Sequence, residues 1–463
     1  MMNPRKTIVL LAGFLAPNLA YAGGYTLPVH GVRAISMGGA MVAGTSGVDA
    51  LWTNPANLDE SEISVEAAMI NLSSSYTPPG DGATTVSNSG RMLPNPTLGV
   101  VWRANDRFSL GLGAYSPWSA PVAYGEDGPQ RYQLIGNDQT LAVYIHLAAA
   151  VRIGSFRFGG GIQNVMANIK QQVAVSAYTG LFGYAQDPTL DVVTQLDLND
   201  PFTLTGNFGA AYDLGRFTFG ASVQLPFTIA GDAKVEQRLP SNVFFDNVTL
   251  VGDQAHLEIP FPLVVRGGIQ LRATDWLTIE TAVGFEDWSV QQRLKIEPVG
   301  QQLEGVPAIG TYRLGTLTLE KRMKDTVSIH LGADAEVTSG LHVRTGGFWE
   351  SSAFPDETYS AALPDDTKVG VGLGLSYRIG LFRFDASVAR VFQGTRTITS
   401  SELRQVNPTN PSQADVIGNG RYESGYWLGG LNIAFLPGWG ASTAKLGRPE
   451  DTLNVTVDPV DAM

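Results

Sequence analysis

The chain has 463 residues, a formal net charge of -12 and no cysteine. The lack of cysteine excludes disulfides, thiolate metal sites and a lipid anchor on an N-terminal cysteine. The net negative charge does not suit binding to nucleic acid, so we expect no nucleic-acid partner. The length alone would suggest two or three soluble domains.

The first 22 residues have the pattern of a secretory signal peptide. Arg5 and Lys6 precede a short apolar run over 7–16, and the sequence Ala-Tyr-Ala at 20–22 has the small-x-small pattern of a signal peptidase site. The apolar run is too short to span a membrane. We therefore predict a signal peptide over 1–22 and a mature chain that begins near Gly23.

The body of the chain alternates between apolar and polar residues with a period of two. In 216–227, phenylalanine, valine and leucine fall on one face, while arginine, threonine and serine fall on the other. The segments 276–285 and 381–388 follow the same pattern. Such alternation predicts β-strands that separate an apolar from a polar environment.

Short and long connections alternate along the body of the chain. Polar loops such as 78–90, 180–200 and 406–420 separate six predicted hairpins, and single strands at about 62–77 and 421–435 bring the count to fourteen. The tight turns of the hairpins are Asn105-Asp106, Gly154-Ser155, Gly215-Arg216, Thr274-Asp275, Ser339-Gly340 and Gly380-Leu381. This organisation predicts an all-β fold, a 14-stranded antiparallel transmembrane β-barrel with periplasmic turns and external loops.

A soluble β-protein with many hairpins is the alternative interpretation. Its strands would alternate in the same way, but its apolar face would form a core and its loops would not divide into short and long sets. The export signal, the lack of cysteine and the final run WLGGLNIAF, which ends in an aromatic residue, favour the membrane.

Four segments, in the same order, resemble the FadL/TodX family of outer-membrane transporters for long-chain fatty acids and other hydrophobic compounds. They are 23–58, 95–119, 259–289 and 341–380, which include the motifs Asn-Pro-Ala, Asp-Trp-Ser and Leu-Pro-Asp. The resemblance implies that an N-terminal hatch, or plug, over 23–58 lies inside the lumen of a barrel formed by 59–435. It also implies a monomer in the outer membrane of a Gram-negative bacterium, in contact with its lipid and lipopolysaccharide.

Two segments depart from the plain barrel pattern. By the resemblance, Asn54-Pro55-Ala56 is a gating motif that marks where the hatch leaves the lumen and becomes the first strand, whereas on its own it indicates only a turn. The acidic segment 436–463 continues past the family's last strand, and we expect a flexible periplasmic extension there.

The resemblance further implies a lateral exit, where an inward kink in the third strand opens the barrel wall. Tyr115, Ser116 and Pro117 occupy this place. Proline within a strand removes a donor from the ladder, so the position suits a kink. The alternative is a proline near the end of a loop.

A fatty-acid carboxylate inside an apolar lumen needs a basic partner. Lys170, Lys321 and Arg322 are the candidate head-group residues, although for each of them a charge unrelated to ligand is the alternative. The positions to which the resemblance assigns basic residues hold Val173 and Leu319. This departure leaves room for a neutral hydrocarbon ligand.

We predict a channel for passive uptake of hydrophobic molecules, with long-chain fatty acids as the main substrate. Monoaromatic hydrocarbons or alkanes are the alternative substrates, and a non-transport barrel, either an adhesin or a lipid-modifying enzyme, is a further alternative. The five histidines have no metal-ligand spacing, and the glycine runs at 111–113, 159–161 and 372–374 lie in strands rather than in a phosphate loop. We expect no enzymatic activity, no cofactor and no metal.

Overall fold

The computed structural model describes residues 27, 29–117, 122–137, 139–178, 180, 183–306, 310–408 and 410–438. The predicted signal peptide and most of the predicted C-terminal extension lie outside these ranges, and both stay predictions. None of the described helices is long and apolar enough to cross a membrane.

Short helices occupy the N-terminal segment and strands follow. The helices are α1 (Val32–Ser36) and α2 (Asp49–Thr53), and a 3-10 turn covers Pro55–Asn57. The strands are β1 (Glu62–Thr77), β2 (Val86–Ser87), β3 (Leu93–Arg103), β4 (Phe108–Tyr115), β5 (Leu141–Ile153), β6 (Phe156–Ser176), β7 (Asp191–Leu214), β8 (Phe217–Gln224), β9 (Phe227–Arg238), β10 (Thr249–Val251), β11 (Gln254–Phe261), β12 (Val264–Arg272), β13 (Leu277–Glu286), β14 (Arg293–Val299), β15 (Gln302–Val306), β16 (Gly310–Arg313), β17 (Leu317–Glu320), β18 (Thr326–Thr338), β19 (Leu341–Glu350), β20 (Lys368–Ile379), β21 (Phe382–Ile398) and β22 (Gly420–Phe435).

The barrel wall consists of fourteen antiparallel strands, which confirms the predicted fold class. Ten of them are single strands, and four are interrupted and consist of two pieces each: β8 with β9, β11 with β12, β13 with β14, and β17 with β18. The wall closes where β22 pairs with both β21 and β1. Of the remaining short strands, β2 pairs with the end of β1, and β10, β15 and β16 form a separate sheet.

The six predicted tight turns all connect paired strands, as expected. The prediction of a loop over 180–200 was wrong for residues 191–200, which form the first part of β7 and pair with β6. These residues are polar because this part of the wall lies above the apolar band that faces lipid. Polarity at the outer end of a barrel strand therefore does not mark a loop.

The outward face of the wall changes from apolar to charged along its height. Val327, Ile329 and Leu331 of β18 are exposed, as lipid-facing residues of a barrel are. Above them, the outward side chains of β9 and β14 include Lys234 and Lys295. The wall therefore continues beyond the hydrocarbon layer, and we call the part formed by β9, β11, β14, β17 and the adjoining ends of β6 and β7 the upper extension.

Candidate functional site

The described part of the N-terminal segment, residues 27 and 29–58, lies inside the barrel, and we call it the hatch segment. The backbone N–H of Val32 donates to Glu66 of β1 at 2.8 Å. On other sides of the lumen, Ser222 of β8 donates to the carbonyl of Thr53 at 2.7 Å, and His330 of β18 contacts the carbonyl of Gly38 at 2.8 Å. Polar contacts to strands all round the wall therefore hold the segment.

The strongest of these anchors is a buried carboxylate on β13. Glu280 accepts hydrogen bonds from three consecutive backbone N–H groups of the hatch segment, those of Val42 at 2.5 Å, Ala43 at 2.8 Å and Gly44 at 2.9 Å. Hydrogen bonds to a charged group are stronger than those between neutral partners. One side chain of the wall thus fixes a whole turn of the hatch segment.

Several charged groups around the hatch segment form ion pairs. Within the segment, Arg33 binds Asp49 at 2.6 Å. On the wall, Arg383 binds Glu62 at 2.9 Å and Asp385 at 3.0 Å. Buried charges need such partners, so these pairs stabilise the segment and the adjoining wall rather than offering a site for a ligand.

Asn54, Pro55 and Ala56 form a rigid turn against the wall. The Asn54 side chain accepts from the N–H of Ala56 at 3.1 Å and donates to the carbonyl of Val42 at 2.8 Å. A Cβ at position 159 or 209, where the strands have glycine, would come within 2.3 Å of Pro55 or 1.9 Å of Asn54. The turn is therefore seated directly on β6 and β7, just before the chain enters β1.

The barrel wall has a gap beside the end of β4. Pairing of β4 with β3 and with β5 ends at Ala114 and Tyr115, although both neighbouring strands continue. The chain then turns inward, since the carbonyl of Pro117 accepts from the N–H of Leu27 at 3.0 Å. Tyr115, Ser116 and Pro117, the residues predicted at the lateral exit, lie at this inward turn, while residues 118–121 lie outside the described ranges.

Tyr115 is held at the gap by buried polar groups. Its hydroxyl contacts Nδ1 of His146 at 2.9 Å and accepts from Gln163 at 3.0 Å. The side-chain oxygen of Gln163 in turn accepts a hydrogen bond from the side-chain amide of Gln224 at 2.7 Å. The last residue of β4 is thus tied to β5, β6 and β8.

Aromatic rings form a row from the gap toward the upper extension. Tyr115 stacks on Tyr144 with 5.7 Å between ring centroids, and Tyr144 meets Phe227 at 6.1 Å. Phe227 stacks on Phe261 at 4.9 Å. On the hatch side, Trp52 contacts Tyr115 at 5.9 Å.

The upper extension contains two adjoining apolar cavities. The first has a volume of about 140 Å³ and the second about 120 Å³, and both are lined by Leu294, Leu319 and Lys321. Val173 lines the first cavity, and Phe261, the end of the aromatic row, lines the second. An open groove of about 500 Å³ adjoins the first cavity from outside.

Lys321 is the basic residue that lines both cavities, while Arg404 also lines the first and Arg293 the second. It follows β17, in the break between β17 and β18, above the lipid-facing band. Its N–H donates to the carbonyl of Gln292 at 2.9 Å, which fixes the backbone. No ion pair between described residues involves its ammonium group, and burial lowers the pKa of Lys321 to about 8. A half-buried ammonium group without a counter-ion, beside apolar cavities, is a ready partner for an anion.

The other two candidate head-group residues lie elsewhere. Lys170 lies on the outward face of β6, where it pairs with Asp197 at 3.8 Å. Arg322 is exposed and binds Glu402 at 2.6 Å, and its backbone has a positive φ of 47°. This left-handed conformation, uncommon for a residue other than glycine, turns the chain at the break. The structure therefore does not bring the three candidates together.

Strand parity explains which basic residues reach the cavities. Side chains of a strand alternate between faces, so Lys170, three residues from the cavity residue Val173, points outward. Lys321, two residues from Leu319, shares its face. The resemblance indicates positions 173 and 319. The spacing of each lysine from these positions would have predicted, from the sequence alone, that Lys321 faces the cavities and Lys170 does not.

Glu280 and Arg266 both contact the hatch segment, although no sequence pattern marks them as site residues. The Arg266 guanidinium lies 4.8 Å from the centre of the Trp52 ring. Both are single charged residues in alternating strands, and nothing in the local pattern distinguishes them from solvent-facing charges.

The sequence and the fold were compared with those of known proteins. A model of the family described as outer membrane protein transport protein (OMPP1/FadL/TodX) matches residues 13–426. The outer membrane protein NMB0088 of Neisseria meningitidis serogroup B is 29% identical over 143 residues, a match that covers 28% of this chain and only 30% of that protein.

Three solved structures share the fold. A FadL homologue of Pseudomonas aeruginosa has a TM-score of 0.69 and 15% identity, with 90% of this chain and 99% of that chain covered. The toluene transporters TodX of Pseudomonas putida and TbuX of Ralstonia pickettii have TM-scores of 0.64 and 0.60 and identities of 13% and 15%. Each of these two matches covers 89% of this chain and 99% of the transporter. At these identities the likeness concerns the fold alone.

Proposed function

The chain belongs to the family of outer membrane transport proteins (OMPP1/FadL/TodX), and from this membership we propose that it takes up long-chain fatty acids passively across the outer membrane. Membership of the family supports the general function of an outer-membrane channel for hydrophobic compounds. We propose no catalytic role for any residue of the chain.

The observation that carries the substrate class is Lys321. Its ammonium group faces two cavities with apolar walls and has no counter-ion among the described residues. A fatty acid fits this combination, because its carboxylate pairs with the ammonium group and its tail contacts residues such as Leu294 and Leu319. Burial of the tail stabilises the complex by roughly 0.8 kcal/mol per CH₂ group.

The proposed path runs from the outer groove through the two cavities and along the aromatic row to the gap beside Tyr115. Leaving the apolar surroundings for water would cost the tail the same free energy per CH₂ group that it gained on binding. An exit sideways into the membrane avoids this cost. In the described arrangement Phe227 and Phe261 stack between the second cavity and the gap, so the path opens only when these rings or the hatch segment move.

We assign the movement of the hatch segment to the turn at Asn54, Pro55 and Ala56. Its contacts with the wall make it the pivot about which the segment can rearrange while the barrel stays closed. Deletion of the three residues is expected to impair uptake of labelled substrate but to leave the heat-modifiable gel mobility of a folded barrel. Unchanged uptake in a well-folded deletion variant would contradict this role.

Substitution of Lys321 tests the substrate class. Lys321→Met keeps an apolar stem and removes the charge, and we expect palmitate binding to weaken about ten- to a hundredfold, as loss of a hydrogen bond to a charged group predicts. Equilibrium binding to the purified protein gives the measurement. Lys170→Met and Arg322→Met are matched controls, because Lys170 lies on the opposite face of its strand and Arg322 is exposed and paired; both should bind palmitate as the wild type does.

Neutral hydrocarbons are the second candidate substrates, and Val173 and Leu319 favour them. Both are apolar residues that line the first cavity. Toluene binding should then be indifferent to Lys321→Met, because apolar burial carries its affinity. Palmitate binding that survives this substitution, with toluene bound as well or better, would reject fatty acids in favour of hydrocarbons.

A further inference from the structure

Arg266 lies in the middle of the lumen, on the inward face of β12 between Gly284 and Ser222 of the neighbouring strands. It lines a small cavity of about 40 Å³ against the hatch segment, which we call the hatch cavity. Val29 and His30 of the hatch segment form part of its wall. The cavity is large enough for a carboxylate group but not for an alkyl tail.

The guanidinium group of Arg266 has neither an ion pair nor a hydrogen bond within the described part of the chain; its contact is the face of Trp52, 4.8 Å away. Glu286 and Glu350 line the same cavity, and the charge of Glu286 attracts that of Arg266, but both glutamates also have other partners. Glu286 accepts from the indole N–H of Trp288 at 2.7 Å, and Glu350 binds Lys368 at 3.1 Å.

An arginine taken out of water without acceptors is costly, and stacking on an aromatic ring offsets only part of that cost. The guanidinium group presents five donors in a planar fork that matches a carboxylate. Because neither Glu286 nor Glu350 forms an ion pair with Arg266 in the described structure, its guanidinium donors are available to the carboxylate of a ligand.

The hatch cavity lies at the gap end of the aromatic row. Trp52, on which Arg266 stacks, contacts Tyr115 at 5.9 Å and Tyr144 at 6.3 Å. The second cavity, with Lys321, lies at the opposite end of the row, where Phe261 lines it. A ligand that moves along the row thus passes from one unpaired cation to another.

We propose that Arg266 forms a second, inner binding site for the carboxylate of a fatty acid, which the head group occupies after leaving Lys321 and while the tail enters the gap. This inference rests on the proposed function and adds a station to it. Glu286 and Glu350 weaken the site by repulsion, which suits a station in transit, because a ligand that is to be conducted must also be able to leave.

Photocrosslinking tests the inner site. The probe is a long-chain fatty acid with a diazirine next to its carboxylate, added to the full-length protein in neutral detergent, and mass spectrometry locates the crosslinked peptides. We expect two groups of crosslinks, one around Lys321 and one in the hatch cavity around 29–34 and 264–268. Arg266→Met should lower the second group about tenfold and leave the first unchanged, whereas Lys321→Met should lower the first.

Matched variants and a neutral probe separate the inner site from a structural role of Arg266. Arg266→Lys should retain part of the crosslinking, and Glu286→Gln, which can still accept from Trp288, should increase it. The corresponding alcohol probe should not respond to either change. If Arg266→Met fails to fold, as heat-modifiable mobility would reveal, the lysine and glutamine variants still give the comparison.

The outcomes are decisive for each claim separately. The inner site is overturned if the wild type gives no crosslinks in the hatch cavity, or if Arg266→Met leaves them unchanged. It is also overturned if the substitution reduces the crosslinks of the acid and the alcohol equally. Equal labelling of the Lys321 cavities by acid and alcohol, by contrast, overturns the proposed fatty-acid specificity, whatever happens at Arg266.

Discussion

Around the hatch segment, most charged side chains are paired with each other or with backbone donors, and Arg266 is the exception, whereas in the upper extension the Lys321 ammonium group lies in mainly apolar cavities without an ion-pair partner among the described residues. Glu280 binds the backbone of the segment, Arg33 pairs with Asp49 within it, and Arg383 pairs with Glu62 on the wall beside it. The Lys321 ammonium group forms no ion pair with any described residue. The difference separates two uses of a buried charge in one barrel: a paired charge fixes structure, and an unpaired charge is available for a ligand.

Removal of the Glu280 carboxylate should have the largest effect, because it releases the hatch segment from the wall. Glu280→Ala leaves three backbone N–H groups of residues 42–44 without their acceptor, and we expect a local loss of about 3 kcal/mol. Hydrogen exchange of these amides should accelerate on the order of a hundredfold. Glu280→Gln retains one acceptor oxygen and should give an intermediate rate. Unchanged protection in the alanine variant would show that other contacts suffice to hold the segment.

A rise in pH should weaken anion binding in the upper extension without any mutation. Since burial lowers the pKa of Lys321 to about 8, its ammonium group is mostly protonated at pH 7 and loses its proton as the pH rises through 8. Binding of hexadecanesulfonate, whose own charge does not titrate, should weaken by up to about tenfold per pH unit above 8. Lys321→Arg should bind it equally from pH 7 to 10, because arginine stays protonated. A wild-type affinity that is flat over this range would exclude Lys321 from head-group binding.

A second basic residue in the upper extension should increase its preference for anionic over neutral ligands. Val173→Lys places another ammonium group in the wall of the first cavity, and palmitate affinity should rise by about three- to tenfold, while hexadecanol affinity falls. Asn168→Lys is the control, since position 168 faces outward on the same strand, beside Asp197. Equal gains from both substitutions would mean that surface attraction, rather than the cavity, accounts for the effect.

The smallest expected effect concerns the boundary between the two regions at Tyr115. Tyr115→Phe removes a hydroxyl that contacts His146 and Gln163, which costs about 1 kcal/mol and should raise hydrogen exchange near the gap by about fivefold. Tyr212→Phe removes a hydroxyl on the outer face of β7 and should change nothing there. Exchange at the gap that is the same in both variants would leave Tyr115 without a positioning role.

Much of the fold could be predicted from the sequence because its signals are local. The six tight turns and the period of two need only neighbouring residues, and together they fix the number of strands and the face that each residue occupies. The same periodicity, applied to Val173 and Leu319, is enough to direct Lys321 inward and Lys170 outward.

The contacts of the site could not be predicted, because they join residues far apart in the chain. Glu280 meets Val42 across 238 positions, and nothing near either residue indicates the other. Arg266 looks like any inward polar residue until Trp52 is placed against it. The loop predicted over 180–200 failed for a related reason, since the height of the wall above the lipid depends on β6 and β9 rather than on residues 191–200 themselves.

The gap beside β4 leaves the edge of β3 open at the level of lipid-facing residues such as Met69 and Leu141. An open edge is a template for any further strand, and each unpaired N–H in hydrocarbon costs several kcal/mol. Along the stretch where β4 no longer pairs, β3 has proline at positions 94 and 96, and both are exposed on the outward face. Proline has no N–H to leave unpaired or to offer to another strand. The two prolines thus disfavour pairing of this β3 edge with another strand, whether from another protein or from the same barrel. The opening in the wall therefore persists, whereas an ordinary strand edge would pair.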